Sequence, residues 1–311
     1  MNADEENEKM MFCASCGIPE VDDVKLKDCS ACKLVRYCGV QCQKEHRPQH
    51  KRACKQRAAE LREEILFKQP ESSHMGDCPI CCLPLSLDSK AILTPCCCTI
   101  ICNGCDYANQ IREVKEKLGH KCPFCRHPKG ESDEERNRSL MKRVDAKDPA
   151  AIRQMGGYRN QEGDYDGAIE YWTEAAGLGD FAAHYDLSVM YRKGKGVKKD
   201  KKKEAYHLEK AAIGGEPFAR HNLGVIENEN NRPDRAVKHW IIAAKLGYDD
   251  SLVPLKEAYR EGLVSKEGLA AALRGHQAAV DATKSPQREE AEVALSQQRE
   301  AAKAARKDRV K

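Results

Sequence analysis

Aromatic side chains are scarce in this sequence, at 5% of its 311 residues, while charged residues make up 33% and the mean hydropathy is -0.71. A single large core needs more apolar bulk than that, so several small or helical units are expected. Long apolar runs are also missing. No stretch approaches the roughly 18 residues that a membrane-spanning helix requires, so no membrane partner is expected. The opening segment, Met1 to Lys9, is acidic and polar, which is wrong for a secretory signal. Charge of one sign does not dominate either: 53 basic and 49 acidic residues leave a net charge of +4. With no concentrated basic face and no interleaved aromatics, nucleic acid is not an expected partner. Cysteine is absent after Cys125, and all 17 cysteines lie between Cys13 and Cys125. Disulfides belong to oxidising compartments, and closely spaced cysteines in a reducing one read as metal ligands. A cytoplasmic or nuclear protein is therefore expected, one whose first 126 residues fold around metal ions.

The first ligand set runs Cys13-x2-Cys16, Cys29-x2-Cys32, Cys38-x3-Cys42 and His50-x3-Cys54. A Cys-x2-Cys turn brings both thiolates to one tetrahedral Zn²⁺ at about 2.3 Å. An x3 spacing does the same from one face of a helix, where residues i and i+4 are neighbours. Eight ligands in four pairs fill two closed sites, which marks them as structural. His46 competes with His50, but His50 has the better spacing to Cys54. The spacing, together with the stretch from Tyr37 to Cys54 (YCGVQCQKEHRPQHKRAC), resembles the MYND zinc finger. The resemblance implies one ion on Cys13, Cys16, Cys38 and Cys42, and another on Cys29, Cys32, His50 and Cys54. It also implies a peptide-docking surface, although Arg47 stands where the family usually carries Trp.

Downstream, Ala58, Leu61 and Ile65 sit at helical spacing, and Pro70, Ser72, Ser73 and Gly76 mark a linker. The second ligand set begins at Cys78-Pro79-Ile80-Cys81 and ends at Cys122-Pro123-Phe124-Cys125-Arg126, with Cys96-Cys97-Cys98 and Cys102-x2-Cys105 between them. Adjacent cysteines chelate one ion poorly, so Cys96 and Cys98 are the favoured middle pair, with Cys97 the alternative and Cys82 a spare buried thiol. This order resembles an all-cysteine RING finger, in which pairs one and three share a zinc and pairs two and four share the other. Its usual histidine is missing, since nothing between Cys82 and Gly119 is His. That absence also argues against LIM and PHD fingers. The resemblance implies that Ile80 would present an apolar contact to a ubiquitin-conjugating enzyme. Arg126 would bridge that enzyme and ubiquitin, a task that suits the donor fork of a guanidinium. Their ordinary readings are a small-core side chain and a solvated charge.

Past Cys125 the sequence repeats itself. Ala175-Ala176-Gly177-Leu178-Gly179, Ala211-Ala212-Ile213-Gly214-Gly215 and Ala243-Ala244-Lys245-Leu246-Gly247 recur at 36 and then 32 residues. Ala151, Ala183 and Ala219 recur at 32 and then 36, and the difference falls in the loop 194–201. Met155, Leu187 and Leu223 share one register, and Trp172, Leu208 and Trp240 share another. Both tryptophans read as core between packed helices, where alanines permit close approach. Asp164 and Asp200 fall at helix N-caps and Pro217 at a first helical position, and Ser132 with Glu135 forms a capping box. The pattern from Ala183 to Asp200 (AHYDLSVMYRKGKGVKKD) resembles a Sel-one-like repeat, a relative of the tetratricopeptide repeat. Such arrays offer a concave surface to protein segments, and no P-loop, His–carboxylate pair or Gly-x-Ser-x-Gly accompanies this one.

The expected architecture is multi-domain: two small zinc-stabilised modules followed by an α-helical repeat solenoid. The expected boundaries are an acidic disordered tail (1–11), a MYND-type finger (12–54), a helix and linker (55–76) and a RING-like finger (77–127). A connector (128–147), helical repeats (148–285) with a degenerate fourth repeat, and a charged, solvent-exposed helical tail (286–311) complete it. About four structural Zn²⁺ are expected. Two functions fit: a RING-type ubiquitin ligase whose repeats choose the substrate, or a non-catalytic adaptor that only binds proteins. A MYND-containing methyltransferase does not fit, because the flanks of the finger leave no room for its catalytic domain.

Overall fold

The computed structural model describes residues 12–88, 91–130 and 132–308, with side chains to 301, in two compact units divided after Lys68. The acidic tail expected at 1–11 lies outside the described residues. Among the described residues no helix is long and apolar enough to cross a membrane.

The first unit holds a short antiparallel pair, β1 (Lys27–Asp28) and β2 (Arg36–Tyr37), followed by one 27-residue helix, α1 (Val40–Leu66). The helix expected after Cys54 is the continuation of α1, since no glycine or proline interrupts the chain from Lys51 to Leu66. Leu66 is buried there, whereas Ile65 stays exposed. The core consists of Cys13, Cys29 and Cys32 with Leu26, Val35 and Tyr37. Half of it is therefore thiol.

The second unit opens with an antiparallel hairpin, β3 (Ala91–Thr94) and β4 (Thr99–Cys102), in register Ala91↔Cys102 through Thr94↔Thr99. Helix α2 (Asn103–Lys115) follows directly. The connector forms α3 (Asp133–Asp145), whose Ser132 cap accepts the Glu135 N–H at 3.2 Å. Next come α4 (Pro149–Glu162), α5 (Tyr165–Gly177), α6 (Phe181–Lys193), α7 (Lys201–Ile213), α8 (Pro217–Glu229) and α9 (Pro233–Lys245). They pack as successive hairpins, α4 on α5, α6 on α7 and α8 on α9, which makes the solenoid. Asp164 and Asp200 cap α5 and α7 as side-chain acceptors, and Pro217 begins α8. Trp172 packs with Ile152, Ala168, Ala183 and Leu187, and Trp240 with Ala236, Leu255 and Ala272. Helices α10 (Leu252–Arg260) and α11 (Lys266–Ala282) cover the end of the array, and α12 (Pro286–Asp308) returns to pack on α2.

The second finger is thus built into the repeat array. His74 N–H donates to Gly215 O at 3.0 Å, and a Cβ on Gly215 would stand 2.8 Å from Ser72 O. Cys98 is buried with Leu140 of α3 and Ala151 of α4. The tail beyond 285, expected to be solvated, buries Ala291 completely.

One buried acid gives the array a pH dependence. Glu216 caps α8 and is 2% exposed. Burial pushes its carboxyl from 4.5 up to about 8, against the pull of the Ala219 and Phe218 N–H groups. Between those values the folded chain keeps a proton that the unfolded chain has released, so this group's stabilising contribution is lost as pH rises. Glu216→Gln keeps an oxygen for Ala219 and cannot ionise. By chemical denaturation it should exceed the wild type at pH 8 by on the order of 2–4 kcal/mol, with the gap closing near pH 4.5.

Candidate metal centres

Each Cys-x2-Cys knuckle with a large loop has the same local cause. The residue four after the first cysteine adopts a left-handed backbone: Gly17 (φ 73°), Lys33 (59°), Cys82 (55°) and Arg126 (63°). Its N–H donates to the carbonyl of that first cysteine at 2.8–3.0 Å, in Gly17→Cys13, Lys33→Cys29, Cys82→Cys78 and Arg126→Cys122. This turn aims both sulfurs at one point.

Four groups of ligand atoms result, each with all atoms within 4.8 Å of one another: Cys13, Cys16, Cys38, Cys42; Cys29, Cys32, His50, Cys54; Cys78, Cys81, Cys102, Cys105; and Cys96, Cys97, Cys122, Cys125. Sulfurs bound at 2.3 Å to a tetrahedral ion stand about 3.8 Å apart. The separations fit: Cys16–Cys38 3.6 Å, Cys29–Cys54 3.8 Å, Cys81–Cys102 3.8 Å and Cys97–Cys122 3.9 Å. His50 Nε2 approaches Cys32 Sγ at 3.2 Å. His46 stacks on His50 and takes a different partner, the Tyr37 hydroxyl at 3.0 Å from Nδ1. The donor sets are all thiolate or thiolate plus one imidazole, in closed fours, which suits four structural Zn²⁺ ions with no position left for substrate.

In the second finger the expected middle pair, Cys96 with Cys98, is corrected to Cys96 with Cys97. Cys98 has φ 52°, and its N–H donates to Thr94 O at 2.8 Å. That reversal turns its side chain away into the helical layer, while the Thr94 hydroxyl meets Cys97 Sγ at 3.1 Å on the metal side. Cys82, expected to be buried, is instead exposed, and it joins no cluster among the described residues. Cys97→Ser should cost one zinc of about four by metal analysis, whereas Cys98→Ser should keep all of them. The opposite result would restore the pairing read from spacing.

Glu113 of α2, 2% exposed, locks the last knuckle and was not signalled by any motif. Its Oε1 accepts Lys121 N–H at 2.9 Å and Asn109 Nδ2 at 2.8 Å, and Oε2 lies 3.1 Å from His120 Nδ1. Burial alone would raise this carboxyl, but those donors hold it below the ordinary carboxylate value. Ile80 is 41% exposed and Phe124 46%, at matching positions in the first and last knuckles, and the Arg126 side chain is also exposed.

Two family models match parts of the chain. Residues 13–54 match the family described as MYND finger, and residues 149–180, 181–216 and 220–248 match the Sel1 repeat. Among solved structures, a Sel1 repeat protein from Oxalobacter formigenes is 21% identical with a TM-score of 0.43, over 57% of this chain and 73% of that one. The structure of c5321, described as a protective antigen of uropathogenic Escherichia coli with an SLR fold, is 20% identical with a TM-score of 0.38, over 62% of this chain and 40% of that one. No curated protein matches. The chain thus carries a MYND-type zinc finger, further cysteine clusters fit for zinc, and a Sel1 repeat array. The MYND finger and the array are protein-interaction modules, so protein partners follow.

Proposed function

We propose that residues 77–127 form a RING-type platform that recruits a ubiquitin-conjugating enzyme, while the helical repeats hold the substrate. The observation that carries this reading is the cross-brace: Cys78 and Cys81 converge with Cys102 and Cys105, and Cys96 and Cys97 with Cys122 and Cys125. This leaves Ile80 and Phe124 exposed on two knuckles and Arg126 directly after the last ligand. Such a platform needs no nucleophile, because it acts by holding a charged thioester in a reactive arrangement. The MYND finger adds a separate peptide-docking surface. A cytosolic or nuclear setting suits thiols that must stay reduced to bind zinc.

The test is ubiquitin discharge from a panel of loaded conjugating enzymes. Wild type should accelerate discharge. Ile80→Ala and Arg126→Gly should abolish the acceleration while zinc content holds; glycine is chosen because it suits the left-handed backbone at 126. No acceleration with any enzyme, from fully metallated protein, would leave the non-catalytic adaptor in its place.

A further inference from the structure

Arg288 lies in the first turn of α12, 207 positions from Cys81, yet its Nη2 donates to the Cys81 sulfur at 3.2 Å. The same nitrogen donates to Leu83 O at 3.1 Å, and Nη1 donates to Pro84 O at 2.7 Å and to Thr283 O at 2.8 Å. Gln287 donates to Gly104 O at 3.1 Å, at the start of α2. Two adjacent side chains therefore grip both halves of the third ligand group, the knuckle and the turn into the helix. The approach is close, since a Cβ on Gly104 would stand 2.8 Å from Arg288 Cγ and 3.0 Å from its Cα.

The chemistry of that group makes the contact more than packing. Four thiolates around Zn²⁺ carry a net charge of about minus two, which a half-buried guanidinium hydrogen-bonded to one sulfur partly offsets. Without the metal, nothing holds the four sulfurs at one point, and the acceptor offered to Arg288 loses its fixed position. Arg288 thus has a stronger partner in the metallated state than in the empty one. Any such preference acts in both directions.

We propose that Arg288 is a positioning residue of the third zinc site and that α12 is a clasp linked to it: docking of the helix retains the zinc, and the zinc retains the helix. This rests on Cys78, Cys81, Cys102 and Cys105 being zinc ligands. Outer hydrogen bonds to metal ligands commonly change affinity by about 10–100-fold, which sets the expected effect.

The test follows zinc transfer from the full-length protein to a colorimetric chelator, with limited proteolysis of α12 in parallel. Wild type should load four ions. Arg288→Ala should release one of them about 10–100-fold faster and expose α12 to protease, with Arg288→Lys between the two. Gly104→Ala keeps the arginine but leaves no room for the helix, and should show the same fast ion. In a Cys81→Ser background, which already lacks that ion, adding Arg288→Ala should leave release of the others unchanged. Stripping zinc from wild type should expose α12 as the arginine variant does. Identical release from wild type and both variants, all loaded with four ions, would overturn the clasp. So would equal acceleration in the Cys81→Ser background. A wild type that never binds the third ion is a different failure, that of the ligand assignment itself.

Discussion

A strong zinc chelator should unfold residues 12–126 and leave most of the repeat array standing. The reason lies in what each core is made of. The first unit buries three cysteines with Leu26, Val35 and Tyr37, and the second finger buries Cys78, Cys102 and Cys105 with Leu85 and Ile101. Two or three apolar side chains, at roughly 1.5–3 kcal/mol each, cannot offset the chain entropy of segments this long. A structural zinc contributes on the order of 10–16 kcal/mol of apparent binding energy, which is where the folding energy of both fingers comes from. Helix α1 goes with them, because it buries only His50 and Leu66 along its 27 residues. Helices α4 to α11 have cysteine-free clusters of their own around Trp172 and Trp240. Circular dichroism at 222 nm should therefore fall in part, protease should remove the first 126 residues, and added zinc should restore both. Loss of all helix in one step would mean that the array depends on the finger it holds. Full retention of signal after four ions have been removed would defeat the structural reading of the sites.

Most ligand pairs were legible in the sequence because metal chelation has a short period: two or three residues separate the members of a pair, as in Cys13-x2-Cys16 and Cys38-x3-Cys42. The choice between Cys97 and Cys98 was not, because a left-handed turn and Leu140, some forty positions away, decide it. Spacing alone favoured separated cysteines, yet a tight turn lets neighbours converge. The repeats were legible for the same kind of reason, since recurring alanines and caps repeat with each helix pair. What remained hidden was the union of finger and array into one unit. His74 with Gly215 and Arg288 with Cys81 join segments more than a hundred residues apart, and no local pattern marks them. The charged composition of α12 reads as a solvated helix, and most of its described side chains are exposed. Ala291, Arg288 and Gln287 are among the side chains that anchor it.

Trp240→Ala should be the most damaging single substitution in the repeat half, at about 3–5 kcal/mol. Trp240 is 6% exposed and joins α9 to α10 and α11 through Leu255 and Ala272. Its indole nitrogen has no hydrogen-bond partner among the described residues, so shape rather than bonding fixes it. The shape is set by Gly224 of α8, where a Cβ would fall 2.3 Å from that nitrogen. Gly156 faces Trp172 in the same way, with a Cβ 2.6 Å from the ring. In the middle repeat the equivalent positions carry Ser188 and Leu208, a larger residue set against a smaller one. Glycine at 224 is thus a space requirement, held despite its cost of roughly 1 kcal/mol in a helix. Gly224→Ala should lower stability by about 1–3 kcal/mol through overpacking, in spite of the better helix former. Gly224→Ala combined with Trp240→Leu recreates the small-and-medium pairing of the middle repeat. It should be more stable than the two separate losses predict, by about 0.5–3 kcal/mol in a double-mutant cycle of denaturant midpoints. Strict additivity would show that the glycine is kept for some reason other than the indole.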